Sequence, residues 1–266
     1  MANNQKRKLY GAAALLCLLA AGTRAGPAPT NAPDRPPAIN APAAPPVTTN
    51  KYDDGGCYIG RTLDGAPHGK GKFTDAAGNS YDGEWDKGAR HGQGTAKLAN
   101  GYTYTGGWVT NREHGAGTAV FPEGDVYTGE FAAGQRHGQG AHSNRNGTVY
   151  TGQWQEGLYH GTGTLTRANG FSYSGGWEKG KYHGKGKLVE STGLGYEGSF
   201  IAGKPHGPGI MKYRNGDTYE GSFKNGARHG YGKYTAADGY VREGEWKEDK
   251  FWRWIKKKVE PKAKHE

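Results

Sequence analysis

The chain has 266 residues, 48 of them glycine, with 33% hydrophobic and 12% aromatic residues and a formal net charge of +10. Glycine well above its usual share of about 7% argues against a helix-rich enzyme, because each helical glycine costs about 1 kcal/mol. Glycine does not recur every third residue, which excludes collagen, and 17 Tyr with 7 Trp are too many for a solvated linker; an all-β, aromatic-packed chain with frequent turns is left.

Residues 1–25 come first and read as a secretory signal. Lys6, Arg7 and Lys8 form a basic start, and Leu9 to Ala21 is a 13-residue apolar run. Small residues follow, with Thr23 and Ala25 placed for cleavage before Gly26, or Ala20 and Gly22 for an earlier cut. The run is shorter than the roughly 20 residues of a comfortable membrane span, so a short uncleaved anchor is the alternative. Leu16 before Cys17 argues against lipoprotein processing. A secreted or periplasmic chain, with membrane association left open, is the expected localisation.

Residues 26–57 form a Pro/Ala-rich linker; eight of the thirteen prolines fall in 26–50. This composition predicts an extended, partly polyproline segment that packs no core. Signal removal leaves Cys57 as the single cysteine, so no disulfide within the chain is possible. The charge is concentrated at the ends. Residues 58–241 hold 20 basic and 16 acidic residues, too even a balance for a nucleic-acid stripe.

From Tyr58 a 23-residue unit recurs eight times without insertion, to Val241. It starts at Tyr58, Tyr81, Tyr104, Tyr127, Tyr150, Tyr173, Tyr196 and Tyr219, and a degenerate ninth unit and basic aromatic tail occupy 242–266. The second unit reads Tyr81-Asp-Gly83-Glu-Trp85-Asp-Lys-Gly88-Ala-Arg-His91-Gly92-Gln-Gly94, with Gly101 later. Position 3 is Gly in all eight units, position 5 is Trp or Phe except at Thr62, and His-Gly-x-Gly is present throughout. Position 8 is Gly except at Asn111, and position 21 is always Gly. Side chains alternate along a strand, so Tyr, Gly and Trp at 1, 3 and 5 share a face, with the glycine as a flat floor under the rings. The glycines at 8 and 21 mark two turns, four of the latter in Asn-Gly pairs, a hairpin signal. Each unit is one hairpin, too small to be stable alone, and stacking completes it. The expected fold is an elongated, single, open antiparallel sheet of stacked hairpins.

The Tyr-x-Gly-x-Trp/Phe-x-x-Gly-x-x-His-Gly-x-Gly pattern over residues 58–241 resembles the MORN (membrane occupation and recognition nexus) repeat family. The resemblance implies the same open sheet. It also implies an association with membranes, often described as contact with acidic phospholipids. Some members join the repeats to a kinase or methyltransferase domain, for which this chain has no room.

No metal or cofactor is expected. Successive column histidines such as His68, His91 and His114 lie about 9–10 Å apart along the sheet, and a zinc ion needs ligands at about 2 Å. Acids are scattered over different columns, no serine column accompanies the histidines, and Gly-x-Gly here lies in hairpins rather than before a helix. The chain therefore reads as a non-enzyme with no small-molecule substrate and no nucleic-acid partner. The candidate binding face is the aromatic row Tyr81, Trp85, Tyr104, Trp108, Tyr127, Phe131, Tyr150, Trp154, Tyr173 and Trp177, since interfaces favour such residues. Its partner would be a protein or a second copy. The tail Phe251-Trp-Arg-Trp-Ile-Lys-Lys-Lys-Val259 reads as a cap docking over the last hairpin; were it a short helix, Phe251, Ile255 and Val259 would share a face. Alternatively it anchors to acidic phospholipid, with Trp252 and Trp254 at headgroup level and Lys256, Lys257 and Lys258 attracting the lipid.

Overall fold

A computed structural model describes residues 46–254. The expectations for the signal, most of the linker, Ile255, Val259 and Lys256 to Lys258 lie outside these residues. Nineteen strands follow in chain order: β1 Thr48–Lys51, β2 Cys57–Leu63, β3 Ala66–Thr74, β4 Ser80–Asp86, β5 Ala89–Lys97, β6 Thr103–Val109, β7 Arg112–Val120, β8 Val126–Ala132, β9 Gln135–Ser143 and β10 Val149–Gln155. They continue with β11 Leu158–Thr166, β12 Ser172–Glu178, β13 Lys181–Val189, β14 Gly195–Ile201, β15 Lys204–Lys212, β16 Thr218–Lys224, β17 Ala227–Thr235, β18 Val241–Lys247 and β19 Lys250–Trp254. They form a single open sheet in which each strand pairs antiparallel with the next. Among the described residues no helix is long and apolar enough to cross a membrane.

Two kinds of turn alternate. At positions 7 and 8 both residues have positive φ, as in Asp64-Gly65 (51° and 80°) and Lys87-Gly88 (46° and 82°). This is the two-residue type I′ geometry, whose twist matches that of the strands. The Asn-Gly pairs at positions 20 and 21 form a different turn. In the Leu98–Tyr102 loop the Gly101 N–H donates to Leu98 O (2.9 Å) and the Leu98 N–H to Tyr102 O (2.8 Å). Only the glycine there has positive φ, so a β-turn followed by a left-handed glycine closes the connection between units.

The hairpins also stack at their tight turns. The position-8 N–H of one unit donates to the position-10 carbonyl of the unit before it, as in Gly88 N to Pro67 O (2.8 Å) and Gly157 N to Arg136 O (2.9 Å). Asn111, the one departure from Gly at position 8 in the eight units, has a reason. Its Oδ1 accepts the Arg90 backbone N–H at 2.9 Å, and its carbonyl accepts the Arg90 guanidinium at 2.9 Å. Asp249 and Arg228 repeat the arrangement in the ninth unit.

Two regions differ from expectation. Thr48–Lys51, inside the stretch read as linker, pairs with β2 and covers the N-terminal edge of the first hairpin. At the C-terminus the cap on the last hairpin begins as a strand and not as a helix: Phe251 pairs with Trp246 and Trp254 with Gly244. The physical reason is the sheet edge. β18 exposes a row of unpaired backbone groups, and a following strand satisfies them where a helix would not.

Candidate binding surface

The ladder of rings is built one unit at a time. Each Tyr at position 1 lies over the Gly at positions 3 and 14, with its phenol turned back to the chain. Tyr81 Oη donates to Glu84 O (2.9 Å), Tyr127 Oη to Glu130 O (2.9 Å) and Tyr173 Oη to Gly176 O (2.7 Å). Each Trp at position 5 reaches back one unit, so that Trp85 Nε1 donates to Gly71 O (2.9 Å) and Trp108 Nε1 to Gly94 O (3.1 Å). Successive rings meet edge to face, with Tyr81 5.0 Å from Trp85 and 5.2 Å from Trp108, the geometry aromatic quadrupoles favour. A Cβ added at Gly94 would lie 2.2 Å from Tyr81 Oη, and one at Gly117 2.4 Å from Tyr104 Oη. The strict glycine columns are therefore the floor that the phenols need.

The structure brings all ten candidate rings together, and it buries them. Tyr104, Tyr127, Tyr150 and Tyr173 are 0% exposed, and the most exposed of the ten, Trp85, reaches 9%. The partial exposure expected of this face is thus corrected: the rings pack on one another and on glycine as an internal core. A one-layer sheet manages this because position 10 supplies a roof. Arg90 and Arg136 each lie 4.3 Å from the ring centroids of Trp108 and Trp154. Tyr159 stacks on Tyr150 at 3.8 Å and Tyr182 on Tyr173 at 3.9 Å. Position 10 escaped the sequence reading because it varies among Pro, Arg, Glu and Tyr from unit to unit. The signal that finds it is register: it sits directly across the hairpin from the position-5 ring, as Trp85 does from Arg90.

Burial raises the phenol pKa of Tyr81, Tyr104 and Tyr127 to about 12 each; Arg90 and Arg136 oppose the rise at Tyr81 and Tyr127, and nearby acids add to it. Burial likewise lowers the pKa of Arg90 and Arg136.

The accessible aromatic surface is a second set of rings packed on the first, including Phe73, Tyr102, Phe121, Tyr159, Phe171, Tyr182, Tyr213 and Tyr234. They stand at several repeat positions: Tyr159 and Tyr182 at position 10, Phe73 and Tyr234 at 16, Phe121 and Tyr213 at 18, and Tyr102 and Phe171 at 22. Two hollows open among them. One of about 480 Å³ is lined by Tyr52, Pro67, Phe73, Asp75, Arg90 and Leu98 among others. The other, of about 830 Å³, includes Glu190, Leu194, Tyr213, Asp217, Arg228 and Tyr234. Asp217 is buried and accepts hydrogen bonds from Tyr234 Oη, Asn215 Nδ2 (2.7 Å) and Ala237 N (2.9 Å). The Tyr234 bond leads in holding its carboxyl below the usual range.

The opposite face is exposed and polar. Its middle is a row of paired hydroxyls, with Thr95 and Thr105 at 3.0 Å, Thr118 and Thr128 at 3.1 Å, and Thr164 and Ser174 at 3.2 Å. Toward the C-terminus charges replace them, as in Lys187 and Glu197 at 3.3 Å. Among the described residues no three His, Cys, Asp or Glu side chains converge as metal ligands. Two of the column histidines lie beside an acid instead: His68 Nδ1 is 3.4 Å from Asp86 and His183 Nδ1 is 3.0 Å from Glu178. At the C-terminal edge Trp252 and Trp254 are exposed.

No curated protein sequence matches the chain. Among solved structures it is similar to the SAS-4 TCP domain of Drosophila melanogaster, solved with a proline-rich motif of Ana2, at 11% identity over 70% of this chain and 95% of that one, with a TM-score of 0.35. It is also similar to virginiamycin B lyase of Staphylococcus aureus at 10% identity, over 76% of this chain and 70% of that one, with a TM-score of 0.17. Likenesses this loose carry no argument. The MORN repeat family model matches residues 58–80, 81–101, 104–126, 127–149, 150–172, 173–193, 196–218 and 219–239. Those eight consecutive matches cover the eight in-register repeats but not the ninth hairpin, and the chain belongs to the MORN repeat family.

Proposed function

We propose that this chain is a non-enzymatic scaffold that holds an extended segment of a protein partner along the roofed side of its aromatic ladder, in a secreted or periplasmic setting. The observation that carries the reading is the second set of half-buried rings, from Phe73 to Tyr234, about one per repeat. Rings of this kind, with neighbouring Arg, are what protein interfaces favour. The spacing suits an extended guest. One hairpin advances about 9.6 Å at two strands per unit. Three residues of polyproline II advance about 9.3 Å, so every third guest residue falls near one hairpin of the scaffold, whose ring differs in position from unit to unit.

The test compares two double variants in affinity capture followed by calorimetry with the captured protein. Tyr159→Ala with Tyr182→Ala strips the roof rings, and Thr118→Ala with Thr128→Ala alters the opposite face. The first pair should lose partner affinity by tenfold or more, and the second should keep it. Equal affinity in both would remove the proposal.

Binding to acidic phospholipid through the tail and the repeat face is a second reading, favoured by the exposure of Trp252 and Trp254 in a basic setting. Flotation with anionic vesicles, with and without residues 251–266, tests it; no flotation of the full chain would end it.

A further inference from the structure

An open sheet has two edges, and this one treats them differently. At the N-terminal edge β1 is only four residues, Thr-Thr-Asn-Lys. Pro45 and Pro46 stand just before it, and proline cannot donate to a further strand. At the C-terminal edge β19 reads Lys-Phe-Trp-Arg-Trp. No described strand pairs with its outer side, and Trp252 and Trp254 are 64% and 58% exposed.

The ninth unit also leaves the template where another hairpin would need it. In the eight repeats a Tyr phenol covers the position-14 glycine, as Tyr219 Oη does at Gly232, 2.1 Å from an added Cβ. Here Arg242 replaces that Tyr, and Trp254 takes the place opposite Gly244. Its ring continues the ladder: Trp246 meets Phe251 at 5.2 Å, and Phe251 meets Trp254 at 4.8 Å. Trp252 is skipped in the pairing with β18 and forms a bulge. Arg253 pairs with Glu245 at 2.8 Å, and the Trp252 ring lies 5.3 Å from Lys247 Nζ. A bulge on the inner side does not block outward pairing. β5 has one against β4, yet pairs regularly with β6 through Gly92, Gln93 and Gly94.

We propose that β19 pairs antiparallel with β19 of a second copy about a two-fold axis between Trp252 and Arg253, closing the sheet into a dimer. This register sets Phe251 opposite Trp254 of the second copy, so ring meets ring and the two ladders join. It sets Trp252 opposite Arg253 of the second copy, twice by symmetry, so each cation meets an indole. No like charges stand directly opposite within the strand. The contact is isologous and closes on itself, because each copy uses its C-terminal edge in it. The inference is independent of the groove on the roofed side.

Sedimentation of the full chain in non-ionic detergent tests it, with two substitutions at one exposed site that leave the ladder intact. The expected mass is twice 28.5 kDa. Trp252→Lys sets two cations opposite each other and should raise the dimer dissociation constant at least tenfold. Trp252→Glu sets a carboxylate opposite Arg253 of the second copy and should stay within about threefold of the original. A monomeric unsubstituted chain overturns the proposal. A dimer that responds equally to both substitutions also overturns it.

Discussion

The two faces of this sheet are made by the same strands and alternate residue by residue, yet they obey different rules. On one face Tyr, Gly and Trp recur almost without exception, and every ring of those repeated columns is internal. On the other, the residues between them drift from Thr–Thr pairs in the middle to Lys–Glu pairs toward the C-terminus. Strict repetition marks the positions that packing dictates. Under the proposed function, partners are distinguished in the columns that vary.

Substitutions can break or sharpen this contrast. The largest effect is expected from Trp108→Ala, which empties a 2% exposed site and strands the Gly94 carbonyl. A loss of about 3–5 kcal/mol should appear as a large fall in the denaturation midpoint. Gly94→Ala should follow, at about 1–3 kcal/mol, because its Cβ has no room beneath the Tyr81 phenol. A midpoint unchanged by this single methyl group would mean that the glycine floor is not needed. Tyr127→Phe keeps the ring and loses the bond to Glu130 O, at about 1 kcal/mol. Thr118→Val on the opposite face should stay within about 0.5 kcal/mol, although it removes a hydroxyl pair.

Alkaline titration separates the faces in another way. The ladder phenols of Tyr81, Tyr104, Tyr127, Tyr196 and Tyr219 are pushed up to about 12, first of all by burial. A phenol whose folded pKa is raised favours folding below its unfolded value near 10. Between about pH 10 and 12 the unfolded chain releases protons that the folded chain keeps, so stability falls with rising pH. Tyrosinate absorbance should therefore lag behind free tyrosine and then rise together with loss of the sheet. A smooth titration near pH 10 with the sheet intact would show that the phenols are not held internally.

Most of the fold was legible because a 23-residue period leaves little freedom. Tyr81, Gly83 and Trp85 declare a shared strand face by alternation alone, and Gly88 and Gly101 declare the turns. The sequence did not show which turn was the tight one. The Asn-Gly pairs suggested positions 20 and 21, but type I′ geometry sits at positions 7 and 8, where Lys87 and Ala133 hold positive φ without any Asn-Gly signature. The site was less legible. The ten rings were grouped correctly, but their burial depends on Arg90, Arg136, Tyr159 and Tyr182, which come from a column with no consensus. The tail was read as a cap on the last hairpin, with three apolar residues at helical spacing; its start is a strand because the unpaired edge of β18 outweighed that spacing.

The sequence by itself determined the hairpin, its repeat length, the stacking into one sheet and the face that carries the rings. Each of these follows from local alternation and from glycine's lack of a side chain, repeated eight times. Only the tertiary structure decided that the rings are core and not surface, that a variable column roofs them, and that the last strand ends in exposed tryptophans. Those outcomes depend on what lies across a strand pair or at the end of a stack. Such neighbours are set by register and by where the sheet stops, and no single unit of the sequence records them.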